Sequence, residues 1–179
     1  VIIETLADLG YLYDASIVPS WSYTTLKQAF RALGRPEYRE FLVAQELACA
    51  GAPRLPYPIG PDRLFAARPD AALLEIPLTT VGPLQFPFIH GLTTRLPDAG
   101  RRLMERSALR RPFFSLAFHD FEFADKGDLG SLPVSDMTRP HLDVSIDARL
   151  ARLSALVVRV KRTHTIVTMR DVAVQQTQS

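Results

Sequence analysis

A single cysteine, Cys49, stands in a chain of 179 residues. That excludes an internal disulfide framework and any multi-cysteine metal site, and leaves the compartment open. Long apolar runs are also missing: none approaches the roughly 18 uncharged residues that a bilayer crossing needs, so no membrane span is expected. Nor is there an excess of one charge. The 21 Lys+Arg nearly balance 19 Asp+Glu, so the sequence pI near 8.9 describes a near-neutral chain without the footprint of a nucleic-acid partner. No HExxH pair, GxSxG elbow, EF-hand spacing or phosphate-cradling glycine motif occurs, and no long-period repeat is visible. What is present is 47% hydrophobic and 22% charged residues, enough for one sizeable core and too little for two comfortable domains. A disordered or collagen-like chain is thereby excluded.

Ile2, Ile3, Leu6 and Leu9 share one helical face up to Gly10, so residues 1–9 read as the last turns of a helix that starts inside a longer protein. An extended stretch, 11–18, is closed by Pro19. Leu26, Phe30 and Leu33 define a second helix stopped by Gly34 and Pro36, and 37–50 is also expected to be helical. Residues 51–70 hold five prolines and two glycines and read as a Pro-rich surface loop or insertion. Residues 73–78 read as a strand, with Pro77 at its end or placing it at an edge. A long loop is expected over 81–97, then a helix from Asp98 or Gly100 to Leu109 with its arginines mostly solvated. Residues 113–118 form an apolar run of strand length, as in a strand covered on both faces. After it, 122–136 reads as a loop. Leu150, Leu153, Leu156, Val157 and Val160 predict a helix from about Asp147. Residues 164–169 read as a last strand, and the tail from Gln175 as fraying. Helices alternating with short apolar strands predict an α/β architecture with a mostly parallel sheet.

His119 carries the most information, because it directly follows a strand-like run, where α/β folds place reactive groups. It reads either as a reactive group or as a histidine that bonds a backbone carbonyl, with Asp120 beside it. His90, His141 and His164 share no helical face, and a metal site from His90, His119 and His141 has no ligand-spacing signature. Ser115 lies inside the apolar run and reads as packing. Arg101, Arg102, Arg106, Arg110 and Arg111, interrupted by Glu105, fit a solvated helix face better than a phosphate or nucleic-acid site. The carboxylates from Asp120 to Asp128 fit a solvated loop.

Five segments in chain order carry a family resemblance. They are Leu6-Ala-Asp-Leu-Gly-Tyr-Leu-Tyr-Asp-Ala-Ser-Ile-Val-Pro19, Ala52-Pro-Arg-Leu-Pro-Tyr57, Leu74-Glu-Ile-Pro-Leu-Thr-Thr80, Arg111-Pro-Phe-Phe-Ser-Leu-Ala-Phe-His-Asp120 and Thr168-Met-Arg-Asp-Val172. Together they resemble the C-terminal portion of the polysaccharide deacetylase (NodB homology, carbohydrate esterase 4-like) family. The resemblance implies that residues 1–179 are the C-terminal part of a distorted (β/α) barrel. It implies a metal-dependent hydrolase that removes an N- or O-acyl group from a carbohydrate. In such enzymes one Asp and two His hold a divalent metal, zinc or similar, a second Asp takes a proton, and a His protonates the leaving group. The family's Leu-x-x-His motif falls on Leu116-Ala-Phe-His119, making His119 the general acid and Leu116 part of the wall around the acyl methyl.

The family's Thr-Phe-Asp-Asp, His-x-x-x-His and Arg-x-Pro motifs precede the Gly10-Tyr-Leu-Tyr-Asp14 region and are not in this chain. The expectation is therefore that this chain alone binds no catalytic metal, is inactive, and partners the missing N-terminal half of the domain or another chain. Two alternatives belong to other classes: a catalytically inactive carbohydrate-binding or assembly scaffold of the same fold, and a basic interaction domain using the Arg101 to Arg111 face.

Overall fold

A computed structural model describes residues 2–32, 47–130 and 141–177. The helix expected at 37–50 lies mostly outside the described residues, as do Leu33, Gly34 and Pro36. The chain is mixed α/β with small sheets, and it divides into two compact units, one comprising the residues up to Pro87 with those from Val167 onward, the other Phe88–Ile166.

In the first unit, helix α1 (Ile2–Asp8) ends at Gly10, which adopts φ +77°. Tyr11 N donates to Leu6 O at 3.0 Å, the closure that a left-handed residue after a helix permits and that a side chain would strain. Strand β1 (Tyr13–Asp14) pairs in parallel with β3 (Leu73–Glu75), and helix α2 (Trp21–Ala32) lies between them in sequence. Leu74 N to Leu12 O (3.1 Å) and Ile76 N to Asp14 O (2.8 Å) make an evenly spaced parallel ladder. Leu73, Leu74 and Ile76 are buried, each contributing about 1.5–3 kcal/mol by leaving water. Pro77 follows the end of β3, and β3 is the central strand, flanked by β1 and by β2 (Tyr57–Ile59).

Strand β2 departs from expectation, since it lies inside the stretch read as loop. It is antiparallel to β3 and sits at the sheet edge. Pro58 is tolerated there because an edge strand needs no donor on its outer side; its carbonyl accepts from Arg68 N at 2.9 Å. A 3₁₀ turn, Leu47–Gly51, precedes it. Ile17, Cys49, Ala52, Tyr57, Ile59 and Leu73 form the core, with Ile3, Leu6 and Phe65 against it. Strands β4 (Thr80–Val81) and β5 (Phe86–Pro87) form an antiparallel hairpin where a loop is expected. Helix α7 (Met169–Thr177) packs beside β1. It replaces the last expected strand, 164–169, from Met169 onward and runs on past Gln175; at its start the Asp171 carboxylate accepts from Thr168 N (3.1 Å) and Oγ1 (2.7 Å). Among the described residues strand pairing is thus mixed, with one parallel and two antiparallel pairs.

The second unit is helical: α3 (His90–Thr94), α4 (Asp98–Leu109), α5 (Lys126–Leu129) and α6 (Ile146–Val160). Helices α4 and α6 occupy the expected positions, and α3 falls in the expected 81–97 loop. Residues 113–118 do not form the doubly covered strand, for they are mostly half-buried and make one parallel bridge, Ile89 to Ala117. The run is apolar because its aromatic rings pack individually. Phe114 meets the fully buried Phe88 edge-on at 5.3 Å, and Phe118 meets Phe123 at 5.6 Å. Residues 120–123 form a 3₁₀ turn that overlaps the start of the stretch read as loop, and 126–129 a helix inside it capped by Asp125; 131–136 lies outside the described residues.

Candidate functional site

The second unit gathers three of the four histidines around one buried carboxylate. His90 opens α3 with its side chain 3% exposed, and its Nδ1 lies 2.7 Å from Oε2 of Glu122, which is 1% exposed. A carboxylate only accepts, so Nδ1–H donates and the ring is locked with Nε2 inward. That Nε2 is buried and has no hydrogen-bond partner. The other Glu122 oxygen, Oε1, accepts the backbone N–H of His119 at 3.3 Å, while Glu122 N donates to His119 O at 3.0 Å. This is the geometry in which the third residue of a helical turn reaches back to the backbone N–H of the residue that precedes the turn. One carboxylate therefore fixes a buried imidazole and the main chain of His119, whose own side chain is exposed.

Gly91 makes the cluster sterically feasible. A Cβ there would stand 2.9 Å from His141 Nδ1 and 3.1 Å from Glu122 Oε1. Without it, Nδ1 of His141 reaches Gly91 O at 3.0 Å. A carbonyl accepts, so Nδ1 carries the hydrogen and Nε2 the lone pair. Burial pushes the His141 pKa below the usual imidazole value, the Arg95 charge pushes it further down, and the Gly91 carbonyl and Glu122 oppose. His141 is accordingly neutral at pH 7.

Arg149 holds the turn that bears Glu122. It is 2% exposed and donates to three carbonyls: Nε to Val144 (3.0 Å), Nη1 to Glu122 (2.8 Å) and Nη2 to Ala124 (2.5 Å). Its charge is taken up by these dipoles, an arrangement that only the planar guanidinium fork can make. Replacing Arg149 with Met removes all three donors while keeping most of the apolar stem. The expected result is a loss of about 2 kcal/mol and a melting temperature lower by several degrees; an unchanged melt would contradict the clamp.

The residues singled out by sequence fall differently. Leu116 is half-buried, three residues before His119 and next to the bridge at Ala117. Ser115 is buried, as packing requires. His164 is structural, its Nε2 2.8 Å from Arg111 O and its Nδ1 2.8 Å from Thr163 Oγ1. Glu122 corrects the reading of a solvated acidic loop, and Arg101 (9% exposed) and Glu105 (4% exposed) correct that of a solvated helix face. Glu122 and Arg149 were missed. Each had a signal: Glu122 stands three residues after His119 between two phenylalanines, and Arg149 leads the stripe Leu153, Leu156, Val160 at i, i+4, i+7, i+11.

Among the described residues no three His, Cys, Asp or Glu side chains converge as a metal-ion set. His90 illustrates why: its Nδ1 is committed to Glu122 and its Nε2 is sealed from solvent. The described histidines and carboxylates therefore do not fit the Asp and two His implied by the family resemblance. The arrangement instead anchors an exposed imidazole on a buried, charge-bearing base. No helix among the described residues is long and apolar enough to cross a membrane. No protein-family model, curated protein or solved structure matches the chain.

Proposed function

We propose that the chain is the C-terminal part of a metal-dependent polysaccharide deacetylase, a distorted (β/α) barrel that hydrolyses an N- or O-acyl group from a carbohydrate. His119 is its general acid and Leu116 part of the wall around the acyl methyl. One observation carries the reading: the His119 imidazole is exposed while its main chain is tied to the buried Glu122, which in turn holds His90. A general acid needs that combination, because it must meet substrate and solvent yet stay in place. When the tetrahedral intermediate collapses, the imidazolium N–H gives its proton to the leaving nitrogen or oxygen, and the acyl carbon–heteroatom bond breaks to leave the amine or alcohol and a carboxylate. The divalent metal of this chemistry is assigned to ligands other than the described residues.

In the first unit, a concavity of about 380 Å³ lined by Tyr11, Tyr13, Asp14 and Arg170 supports a sugar partner. Tyrosine faces cover the apolar side of a sugar ring, and a carboxylate and a guanidinium can bond its hydroxyls. The test is acetate release from N-acetylglucosamine oligomers by the complete domain with zinc. Release that a chelator abolishes and zinc restores is expected. Oligomer binding without any release would assign the scaffold role instead.

A further inference from the structure

Helices α4 and α6 of the second unit enclose a groove of about 570 Å³ whose lining is far from neutral: Arg101, Arg102, Arg106, Arg152 and Arg159 stand against only Asp98 and Glu105, an excess of three positive charges. Glu105 is consumed inside the wall. Its two oxygens accept from Arg101 Nη1 and Arg159 Nη2, each at 2.7 Å, and so tie the two helices together. Arg101 also donates to Asp98 at 3.2 Å, and Arg152 to Thr94 O. Three features then lack a purpose. Arg102 and Arg106, exposed at i, i+4 on α4, have no ion-pair or hydrogen-bond partner among the described residues. Like charges at that spacing cost a few tenths of a kcal/mol. The Nε–H groups of Arg101 and Arg159 are buried without an acceptor, the kind of leftover donor that calls for an explanation. And Ala148, Ala151 and Ala155 keep the α6 wall shallow, leaving concave space where longer side chains would fill it.

We propose that this groove binds a compact, multiply charged phosphate group, with the guanidinium forks of Arg102 and Arg106 as its direct donors and the Arg101–Glu105–Arg159 bridge fixing the spacing of its walls. Two planar forks one helical turn apart match phosphate oxygens bidentately, and the surplus of three charges suits a di- or trianion. The concave shape and its limited volume favour a small phosphorylated molecule over a nucleic-acid strand, which needs an extended basic track. The groove is separate from the proposed deacetylase chemistry, and its failure or success leaves His119 untouched.

Calorimetric titration of the 179-residue chain with inorganic pyrophosphate tests it. Saturable binding with a dissociation constant of roughly 10–500 μM is expected, and Arg102→Gln with Arg106→Gln should weaken it at least about tenfold. The melting temperature should not fall, since both side chains are exposed and their removal only relieves the like-charge repulsion along α4. The Lys pair Arg102→Lys with Arg106→Lys keeps the charge and loses the fork. It should recover only part of the affinity. Vesicles containing phosphatidic acid separate a headgroup from a free phosphate: the free probe is expected to compete the chain off them. No saturable pyrophosphate binding below about 10 mM, or binding unchanged in the Gln pair, overturns the proposal. So does an oligonucleotide that binds more tightly than pyrophosphate with a salt slope of more than about three phosphates.

Discussion

His119→Ala in the complete enzyme is expected to lower kcat by about 10²- to 10⁴-fold with metal content intact, because a general acid acts only as the leaving group departs. His119→Gln tests the same position with a side chain that still hydrogen-bonds but cannot deliver a proton, and it should be as inactive as Ala. A structural histidine predicts the opposite pair of results, a lowered melting temperature with near-normal turnover. The side chain is exposed and the anchoring bond to Glu122 uses the backbone N–H, so neither substitution removes that anchor. Normal turnover in either variant would take His119 out of the mechanism.

Glu75 is expected to make the protein less stable as pH rises from about 4.5 to about 7. Fully enclosed at the end of β3, it accepts from Ile17 N through Oε1 at 3.0 Å, while Oε2 has no hydrogen-bond partner. Burial raises its pKa from 4.5 to about 7, the Ile17 hydrogen bond opposes, and the neighbouring Asp14 adds to the rise. The folded chain therefore holds this proton more tightly than the unfolded chain does. Its stabilising contribution is complete below about pH 4.5, is lost between there and about pH 7, and stays lost above, a total of about 3 kcal/mol. His141 acts in the other sense, its depressed pKa weakening the fold as pH falls below 6.5. The difference between wild type and Glu75→Gln isolates the carboxyl: relative to wild type, the variant should gain stability with rising pH and level off above 7. The amide left where Oε2 was adds only a pH-independent cost. A difference that is flat with pH would show that Glu75 titrates normally. Asp14→Asn should narrow the same window by removing the charge that raises Glu75.

Helices were legible wherever an apolar stripe met a stop. Gly10 after Ile2, Ile3 and Leu6, and the spacing of Leu150 through Val160, are local signals, and α1 and α6 follow them. Apolar runs without periodicity were not legible in this way. Residues 113–118 have the composition of a buried strand, yet a strand exists only when a second chain segment supplies hydrogen-bond partners along its length, and here a single bridge at Ala117 does so. The reverse error occurred at Tyr57-Pro58-Ile59. Proline argues against a ladder locally, but at a sheet edge its missing donor faces away from the partner strand.

The sequence by itself determined the periodic helices, the single thiol, the near-neutral charge and the placing of His119 after an apolar run, because each depends on residue types and short spacings. Only the tertiary structure decided that Glu122, Arg149, Arg101 and Glu105 are buried. A charged side chain leaves water only if partners wait for it. For Glu122 these include His90, 32 residues before it, beside the main chain of His119; for Glu105 they include Arg159, 54 residues on, beside Arg101 one helical turn back. Such long-range compensation has no period to read, so the charges that looked solvated in one dimension became the fixed points of the site in three.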